Sequence, residues 1–151
     1  MLAPNLAVRN EAPIIIIALE AGGRALMTRD MELIRKIFAQ IRARTSLDYQ
    51  EIDIPDVDPA ILARHVEILE QAGLIEVIKS QGYRASYPLF AVKDLTWAGH
   101  DFVAILENDT VWNKIKEKLS PKEIATLPLS TLKTLGLGLL DHYLKSKFGL
   151  P

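Results

Sequence analysis

The chain has 151 residues, of which 49% are hydrophobic and 25% are charged, as is typical of one soluble globular domain. It contains no cysteine, which excludes disulfides, thiolate metal sites and cysteine nucleophiles and fits a cytoplasmic location. The net charge of −1 excludes a global attraction to nucleic acid, and no apolar run approaches the roughly 20 residues of a membrane span, so no membrane partner is expected.

The first 26 residues are predicted to form an N-terminal extension outside the core fold. Their only apolar run, APIIIIALEAGG at residues 12–23, is rich in β-branched side chains, which favours a β-strand or an extension with little order. We expect the core to begin at Met27, with a winged-helix domain at residues 27–108 and a C-terminal helical segment at residues 109–151.

A first helix is predicted from Thr28, whose side chain can cap it, with Asp30 in the first turn. Its apolar positions recur at helical spacing and predict one buried stripe: Met31, Ile34, Ile37, Phe38 and Ile41. An irregular connection at residues 46–58 follows and carries five acids and no Lys or Arg: Asp48, Glu51, Asp53, Asp56 and Asp58.

A second helix is predicted to start at Asp58-Pro59, because Asp caps a helix and Pro fits its first turn. Leu62, Val66 and Leu69 are expected to face inward, and Gly73 is expected to end the helix. The outward side carries Ala60, Arg64, Glu67 and Gln71.

Residues 74–92 predict a β-hairpin with a turn at Ser80-Gln81-Gly82. Several helices follow it. Thr96 should cap one, Asn108 or Asp109 the next, and SPKE at residues 120–123 forms a capping box. A last apolar helix is predicted from Leu129 to Phe148, and Trp97 and Trp112 are expected to anchor the C-terminal helices in the core.

The order of helix, connection, helix and hairpin resembles a winged helix-turn-helix, so the predicted fold is mainly α with a small β-hairpin. HVEILEQAGLI at residues 65–75 is similar to the end of the recognition helix in that superfamily, and LTWAGHDF after the hairpin is similar to the helix that follows the wing. A longer resemblance, from about Met27 to about Leu144, is to an uncharacterised bacterial and phage family, domain of unknown function 2513. Its segments here are RDMELIRKI, HVEILEQAGLI, LTWAGHDFVAILENDTVWNKIKEKL and LPLSTLKTLGLGLL.

No protease, kinase or nucleotide-binding motif is present, so neither an enzyme nor a cofactor is expected. A remote alternative is a metal-dependent phosphohydrolase, in which His65, His100-Asp101 and Asp141 would hold the metal that activates water. Residues of these types in this order arise easily by chance, so no metal site is predicted.

The sequence favours a winged-helix transcriptional regulator of bacterial or phage origin that binds double-stranded DNA. The candidate DNA-binding residues are Arg64, His65 and Gln71 on the helix, and Lys79 and Arg84 on the wing. The rival hypothesis is a winged-helix adaptor that binds another protein, because winged helices serve both functions. A continuous positive surface around Arg64, Lys79 and Arg84 would favour DNA, and an acidic one would favour protein.

A homodimer is also expected. The last helix carries apolar residues on more than one face, and surplus apolar surface usually marks an interface. These positions are Leu132, Leu135, Leu139, Leu140, Tyr143 and Leu144.

Overall fold

The structure is a computed structural model that describes residues 17–19, 25–84 and 87–151. Near the N-terminus, β1 (Ile17–Leu19) pairs antiparallel with β2 (Ala25–Met27). The strand expected within residues 12–23 is therefore present at β1, and the remainder of that segment lies outside the described residues.

The body of the molecule follows the winged-helix order of elements. It consists of α1 (Met31–Arg42), β3 (Gln50–Glu51), α2 (Pro59–Gln71) and the hairpin strands β4 (Ile75–Arg84) and β5 (Tyr87–Leu95). The three strands form an antiparallel sheet in the order β3-β5-β4. The predicted α+β class, mainly helical with a small sheet, is confirmed.

The sequence did not indicate β3, which is only two residues long. Arg44 secures it, because its guanidinium donates to the carbonyl of Gln50 at 3.0 Å and also to the carbonyl of Val92 in β5. Between β3 and α2 the chain forms a turn at residues 55–57 and no helix, so the connection predicted at residues 46–58 is irregular except at β3. Asp56 adopts a positive φ of 64° in this turn, a conformation that Asp tolerates better than most residues.

The N-cap of α1 lies two residues later than predicted. Asp30, rather than Thr28, is the N-cap: its side chain accepts the N–H of Glu32 at 3.0 Å, and its backbone is extended. The reason is tertiary, because the N–H of Asp30 is bound by His65 of α2 and does not need a cap from Thr28. The predicted apolar stripe of α1 is buried as expected.

Helix α2 begins and ends as the sequence predicts. Asp58 accepts the N–H of Ala60 at 2.8 Å, with Pro59 in the first turn. At the other end, Gly73 has a φ of 74°, and the N–H of Leu74 reaches back to the carbonyl of Leu69 at 3.0 Å. This is a Schellman motif, in which the positive φ makes Gly the favoured residue. The predicted inward residues of α2 are buried.

The prediction of a turn at Ser80-Gln81-Gly82 is wrong. Residues 80–82 belong to β4, which extends to Arg84, and β5 begins at Tyr87. Lys79 pairs with Phe90 and Tyr83 with Pro88, so β4 holds two more residues than β5 over this stretch. Ser80-Gln81-Gly82 therefore forms an irregularity in the pairing of β4 with β5 and not the turn. Extra residues at such an irregularity increase the local twist of the strands.

Four helices complete the described chain: α3 (Trp97–Glu107), α4 (Asp109–Lys118), α5 (Pro121–Thr126) and α6 (Leu129–Phe148). The predicted caps are confirmed at Thr96 and Asn108, and the capping box is formed by Ser120 and Glu123. None of the helices in the described part of the chain combines the length and the apolar character needed to cross a bilayer.

The core joins the winged-helix body to the C-terminal helices. Its largest fully buried side chains come from α1, α2, β5, α3, α4 and α6, and they include Phe38, Phe102, Leu33, Leu69, Ile105, Leu106 and Leu132. Trp112 is 2% exposed and anchors α4 as predicted, whereas the expectation for Trp97 is wrong, since its side chain is 87% exposed. Trp97 occupies the first position of α3, and the inward side of that helix is already filled by Phe102, Val103 and Leu106.

The two ends of the hairpin meet at one point. Thr96, directly after β5, donates its N–H to the carbonyl of Leu74 at 3.0 Å and its hydroxyl to the carbonyl of Gly73 at 2.6 Å. Gly99 then packs against the same peptide, and a Cβ on Gly99 would lie 2.0 Å from the oxygen of Leu74. The start of β4 and the start of α3 are thus held together by backbone contacts.

Candidate interaction surface

The outward side of α2 is the surface on which recognition would occur in a winged helix. Arg64 and Gln71 are both exposed there, as expected. The guanidinium of Arg64 forms an ion pair with Glu67 at 2.8 Å, one turn further along the same helix. Glu70 is exposed beside Gln71. The charge of Arg64 is therefore already matched by a carboxylate on its own helix.

His65 is not on this surface, which corrects its assignment as a DNA-binding residue. Its side chain is fully buried, and its Nε2 accepts the backbone N–H of Asp30 at 2.9 Å. Its Nδ1 lies 2.9 Å from the carbonyl of Ile61. Both ring nitrogens are thus used inside the fold. The helical periodicity of α2 places His65 beside Val66 and Leu69 on the inner stripe, and this signal was already present in the sequence.

The hairpin side chains that the structure describes include two cations, Lys79 and Lys93. Lys79 is exposed, with its ammonium 5.8 Å from the centroid of the Phe90 ring. Lys93 is partly buried and lies 3.8 Å from a carboxylate oxygen of Glu76. The backbone of Arg84 pairs with Tyr87 at the end of the ladder, and the side chain of Arg84 falls outside the described residues.

The basic residues in and after α1 are largely engaged within the molecule. Arg35 approaches Glu32 at 3.4 Å and stacks over the Trp112 ring, with 5.9 Å from the guanidinium carbon to the centroid. Arg42 pairs with Glu107 of α3, and Arg44 bonds to backbone carbonyls of the sheet. These three arginines are thus engaged by contacts within the molecule.

Carboxylates dominate the approach to the N-terminal end of α2. The predicted acidic connection lies along this end of the helix, and its acidic side chains are all exposed: Asp48, Glu51, Asp53, Asp56 and Asp58. Together with Glu67 and Glu70 they outnumber Arg64 and Lys79, counted over the side chains that the structure describes on α2 and its flanking segments. An excess of carboxylates here would oppose a phosphate backbone.

A cleft of about 350 Å³ opens between α2, the acidic connection and the first half of β5. Its apolar surface comes from α2 and from β5, and the carboxylates of Glu51 and Asp53 stand at one side. Its lining includes Val57, Pro59, Leu62, Ala63, Val66, Tyr87, Leu89 and Phe90. The sequence analysis identified the acids but not the cleft, since only the fold brings residues 51–66 against residues 87–90.

A smaller notch surrounds the exposed Trp97. The indole lies 6.4 Å from the ring of His100, measured between centroids, and Glu76 and Asp94 line the same notch. An exposed Trp flanked by carboxylates has the chemistry to contact a cation of a partner. The sequence placed this residue in the core, so the notch was missed.

The remote alternative of a metal site is not supported by the arrangement of its residues. Asp101 lies 4.0 Å from the ammonium of Lys133, and Asp141 pairs with Lys145 at 3.1 Å. His65 is bound to Asp30 and Ile61 in the core. Within the described residues, no three His, Asp or Glu side chains are grouped so that they could hold a metal ion.

Comparison with known proteins identifies the family of the chain. An uncharacterized protein of Haemophilus influenzae (strain ATCC 51907 / DSM 11121 / KW20 / Rd) is 31% identical over 126 residues, which cover 78% of this chain and 99% of that protein. No solved structure matches the chain. The model of the hypothetical protein family DUF2513 matches residues 28–125, which include the whole winged-helix body, α3 and α4. The chain belongs to this family, domain of unknown function 2513.

Proposed function

We propose that the protein is a winged-helix interaction module that binds a basic segment of another protein in the cleft between α2 and β5. The observation that carries the proposal is the acidic surface beside this cleft. Carboxylates of Glu51, Asp53 and Asp58 surround the N-terminal end of α2, and Glu67 already neutralises Arg64. A DNA phosphate backbone would be repelled at this end of the helix, whereas a basic peptide would be attracted.

The shape of the cleft defines the partner further. Its apolar lining, which includes Leu62, Val66 and Leu89, can take one or two apolar side chains. The carboxylates of Glu51 and Asp53 can meet Lys or Arg residues that flank them. The partner is therefore an apolar residue or pair of residues within a basic stretch of chain.

Selection from a displayed library of random peptides tests this proposal. We expect the selected peptides to be enriched in Lys and Arg around a central apolar residue. Calorimetry should show that binding weakens at least tenfold in the double variant Glu51→Lys and Asp53→Lys. Ala63→Trp, which fills the cleft without a change of charge, should have a similar effect. The matched control is Glu117→Lys, an exposed charge reversal on α4. Selection of acidic peptides, or binding that ignores both cleft variants, would reject the proposal.

DNA binding is the second candidate, in which the protein would be a bacterial or phage transcriptional regulator. The exposed Arg64 and Gln71 on α2 and the exposed Lys79 on the wing favour it. Fluorescence anisotropy with duplexes at low salt is the test. If Arg64 reads a base, Arg64→Ala should cost about 1–3 kcal/mol and relax specificity. Arg84→Ala should weaken all sequences alike. Tight binding to a duplex that Glu67→Gln strengthens would favour DNA over the protein partner.

We further propose that the module acts in the cytoplasm and as a homodimer. The lack of cysteine supports the first statement. The exposed Leu135, Leu137, Leu144 and Phe148 on α6 support the second, because apolar side chains on one helix usually mark an interface. Light scattering over a range of concentrations tests the homodimer, and fractionation of the native cell tests the location.

A further inference from the structure

Helix α6 carries an apolar stripe that its own domain does not cover. Leu137, Leu140, Leu144 and Phe148 recur at spacings of three or four residues, so they lie along one side of the helix. Leu140 is half-buried, whereas Leu137 is 37%, Leu144 41% and Phe148 70% exposed. We call these four residues the α6 stripe.

The α6 stripe is distinct from the side of α6 that packs against the body. That side is defined by Leu132 and Gly136, the only two residues of α6 that are fully buried, with Tyr143 half-buried further along. Gly136 fits closely against Ile105 of α3, since a Cβ there would lie 2.4 Å from the Ile105 Cγ2 atom. The α6 stripe runs beside this contact and continues to the exposed C-terminal end of the helix.

We propose that the α6 stripe pairs with the same stripe of a second copy of the chain, with the two helices antiparallel. The pattern is self-complementary in that direction. Around a two-fold axis that passes near residues 142–143, Leu137 of one chain stands opposite Phe148 of the other, and Leu140 stands opposite Leu144. An isologous interface requires this reciprocity between its two halves.

The charges at the edge of the stripe agree with this arrangement. Asp141 and Lys145 form an ion pair at 3.1 Å, one turn apart on one side of the stripe. In the antiparallel pair, Asp141 of each chain lies across from Lys145 of the other. Opposite charges that face each other in this way favour this register.

The register rests on the proposed homodimer, and the two are tested by separate measurements. Light scattering at high micromolar concentration should give the mass of a dimer for the native chain. Leu144→Glu and Phe148→Glu should each halve that mass while the circular dichroism spectrum and melting curve remain native, since both side chains are exposed in the single chain. The matched control, His142→Glu, changes an exposed residue on the opposite side of α6 and should remain a dimer. A native chain that is monomeric at this concentration would reject the pairing.

Cross-linking then tests the register, and the chain has no cysteine of its own to interfere. Proteins with Leu137→Cys and with Phe148→Cys are mixed under reducing conditions and then oxidised. Antiparallel pairing predicts a disulfide between the two different proteins. It predicts none in Leu137→Cys alone, because the two copies of residue 137 would lie about 16 Å apart along the helix axis at 1.5 Å per residue. A disulfide within Leu137→Cys alone would show a parallel pair and overturn the register.

Peptide binding in the cleft can be measured whether or not the chain dimerises through α6. Peptide binding by the monomeric Phe148→Glu protein reports on the cleft alone. Loss of pairing with retained peptide binding separates the two proposals, and loss of peptide binding with retained pairing separates them in the other direction.

Discussion

Asp30 donates its backbone N–H to Nε2 of His65 at 2.9 Å, and this bond joins the start of α1 to the middle of α2. Nε2 must be the acceptor, so Nδ1 carries the proton and donates it to the carbonyl of Ile61 at 2.9 Å. The two contacts fix one neutral tautomer. Protonation of Nε2 would place two donors against each other in the core.

Stability should therefore fall as the pH falls below the ordinary range of a histidine. Burial lowers the pKa of His65 below 6.5; the bond to Ile61 raises it, and the nearby Arg64 and Arg29 lower it further. The unfolded chain then binds a proton before the folded chain does, so the free energy of unfolding decreases as the pH drops through about 6.5. Urea denaturation between about pH 7.5 and about pH 5.5 measures this slope.

His65→Phe provides the control for the pH dependence. The substitution keeps the approximate size of the ring but leaves the N–H of Asp30 without its acceptor, which should cost about 1–3 kcal/mol at neutral pH. Most of the slope below pH 6.5 should disappear with it. His142→Gln, at an exposed position, should keep the native slope. An unchanged slope in His65→Phe would show that another group is responsible.

Two glycines should respond in opposite directions to substitution by alanine. Gly99→Ala places a Cβ 2.0 Å from the backbone oxygen of Leu74, where no side chain can move aside, so we expect a loss of about 3 kcal/mol or more. Gly138→Ala adds a Cβ with nothing within 4 Å in the interior of α6, and should stabilise by about 0.5–1 kcal/mol. Thermal denaturation of both variants would show whether the contact between Gly99 and Leu74 is as close as described.

The two tryptophans should differ sharply in their energetic roles. Trp112→Ala removes a side chain that is 2% exposed and should destabilise by about 3–5 kcal/mol. Trp97→Ala removes a side chain that is 87% exposed and should change stability by less than about 0.5 kcal/mol. Fluorescence offers a second measurement: in Trp112→Phe, the remaining emission should be that of a solvated indole and should be quenched readily by iodide. Protection from iodide would show that Trp97 is covered.

The side chain of Arg29, just before α1, should contribute substantially to the free energy of unfolding. Its Nη2 donates to the carbonyls of Ile124 and Leu127 at 2.7 and 2.5 Å, which ties the end of α5 to the start of α1. Arg29→Leu leaves both carbonyls without this donor, and we expect a loss of about 2 kcal/mol. Arg42→Leu, which removes a half-exposed ion pair, should cost less than about 1 kcal/mol in the same denaturation experiment. Equal effects of the two variants would contradict the prediction.

Periodicity and caps were sufficient to predict most of the helices, because those signals are local. The ends of α2 at Asp58 and Gly73 and the extent of α6 are confirmed in the structure. Features that depend on distant segments were not predictable in this way. The cap of α1 moved to Asp30 because a residue of α2 binds its N–H, and the two residues of β3 carry no pattern of their own.

The candidate site was predicted less well than the fold. The acids that dominate it were visible in the sequence, as were Arg64 and Gln71. The side chain of His65 was assigned to the surface although its helical position is on the inner stripe. Trp97 was assigned to the core, although its side chain is exposed. Large aromatic residues are usually buried, and a single sequence does not show that α3 has no space left for this one.

The hydrogen bonds of Thr96 to Gly73 and Leu74 close the hairpin at its base. The chain leaves at Leu74 and returns to the same place about twenty residues later, so the positions of the flanking helices do not depend on the length of the far end of the hairpin. Extra residues introduced between the strands would add only the entropy of a longer loop, about 0.6 kcal/mol for each doubling. The wing is therefore the place where a peptide tag, a fluorophore or a foreign recognition loop can be grafted without disturbing the helices, and where related chains are free to differ in length.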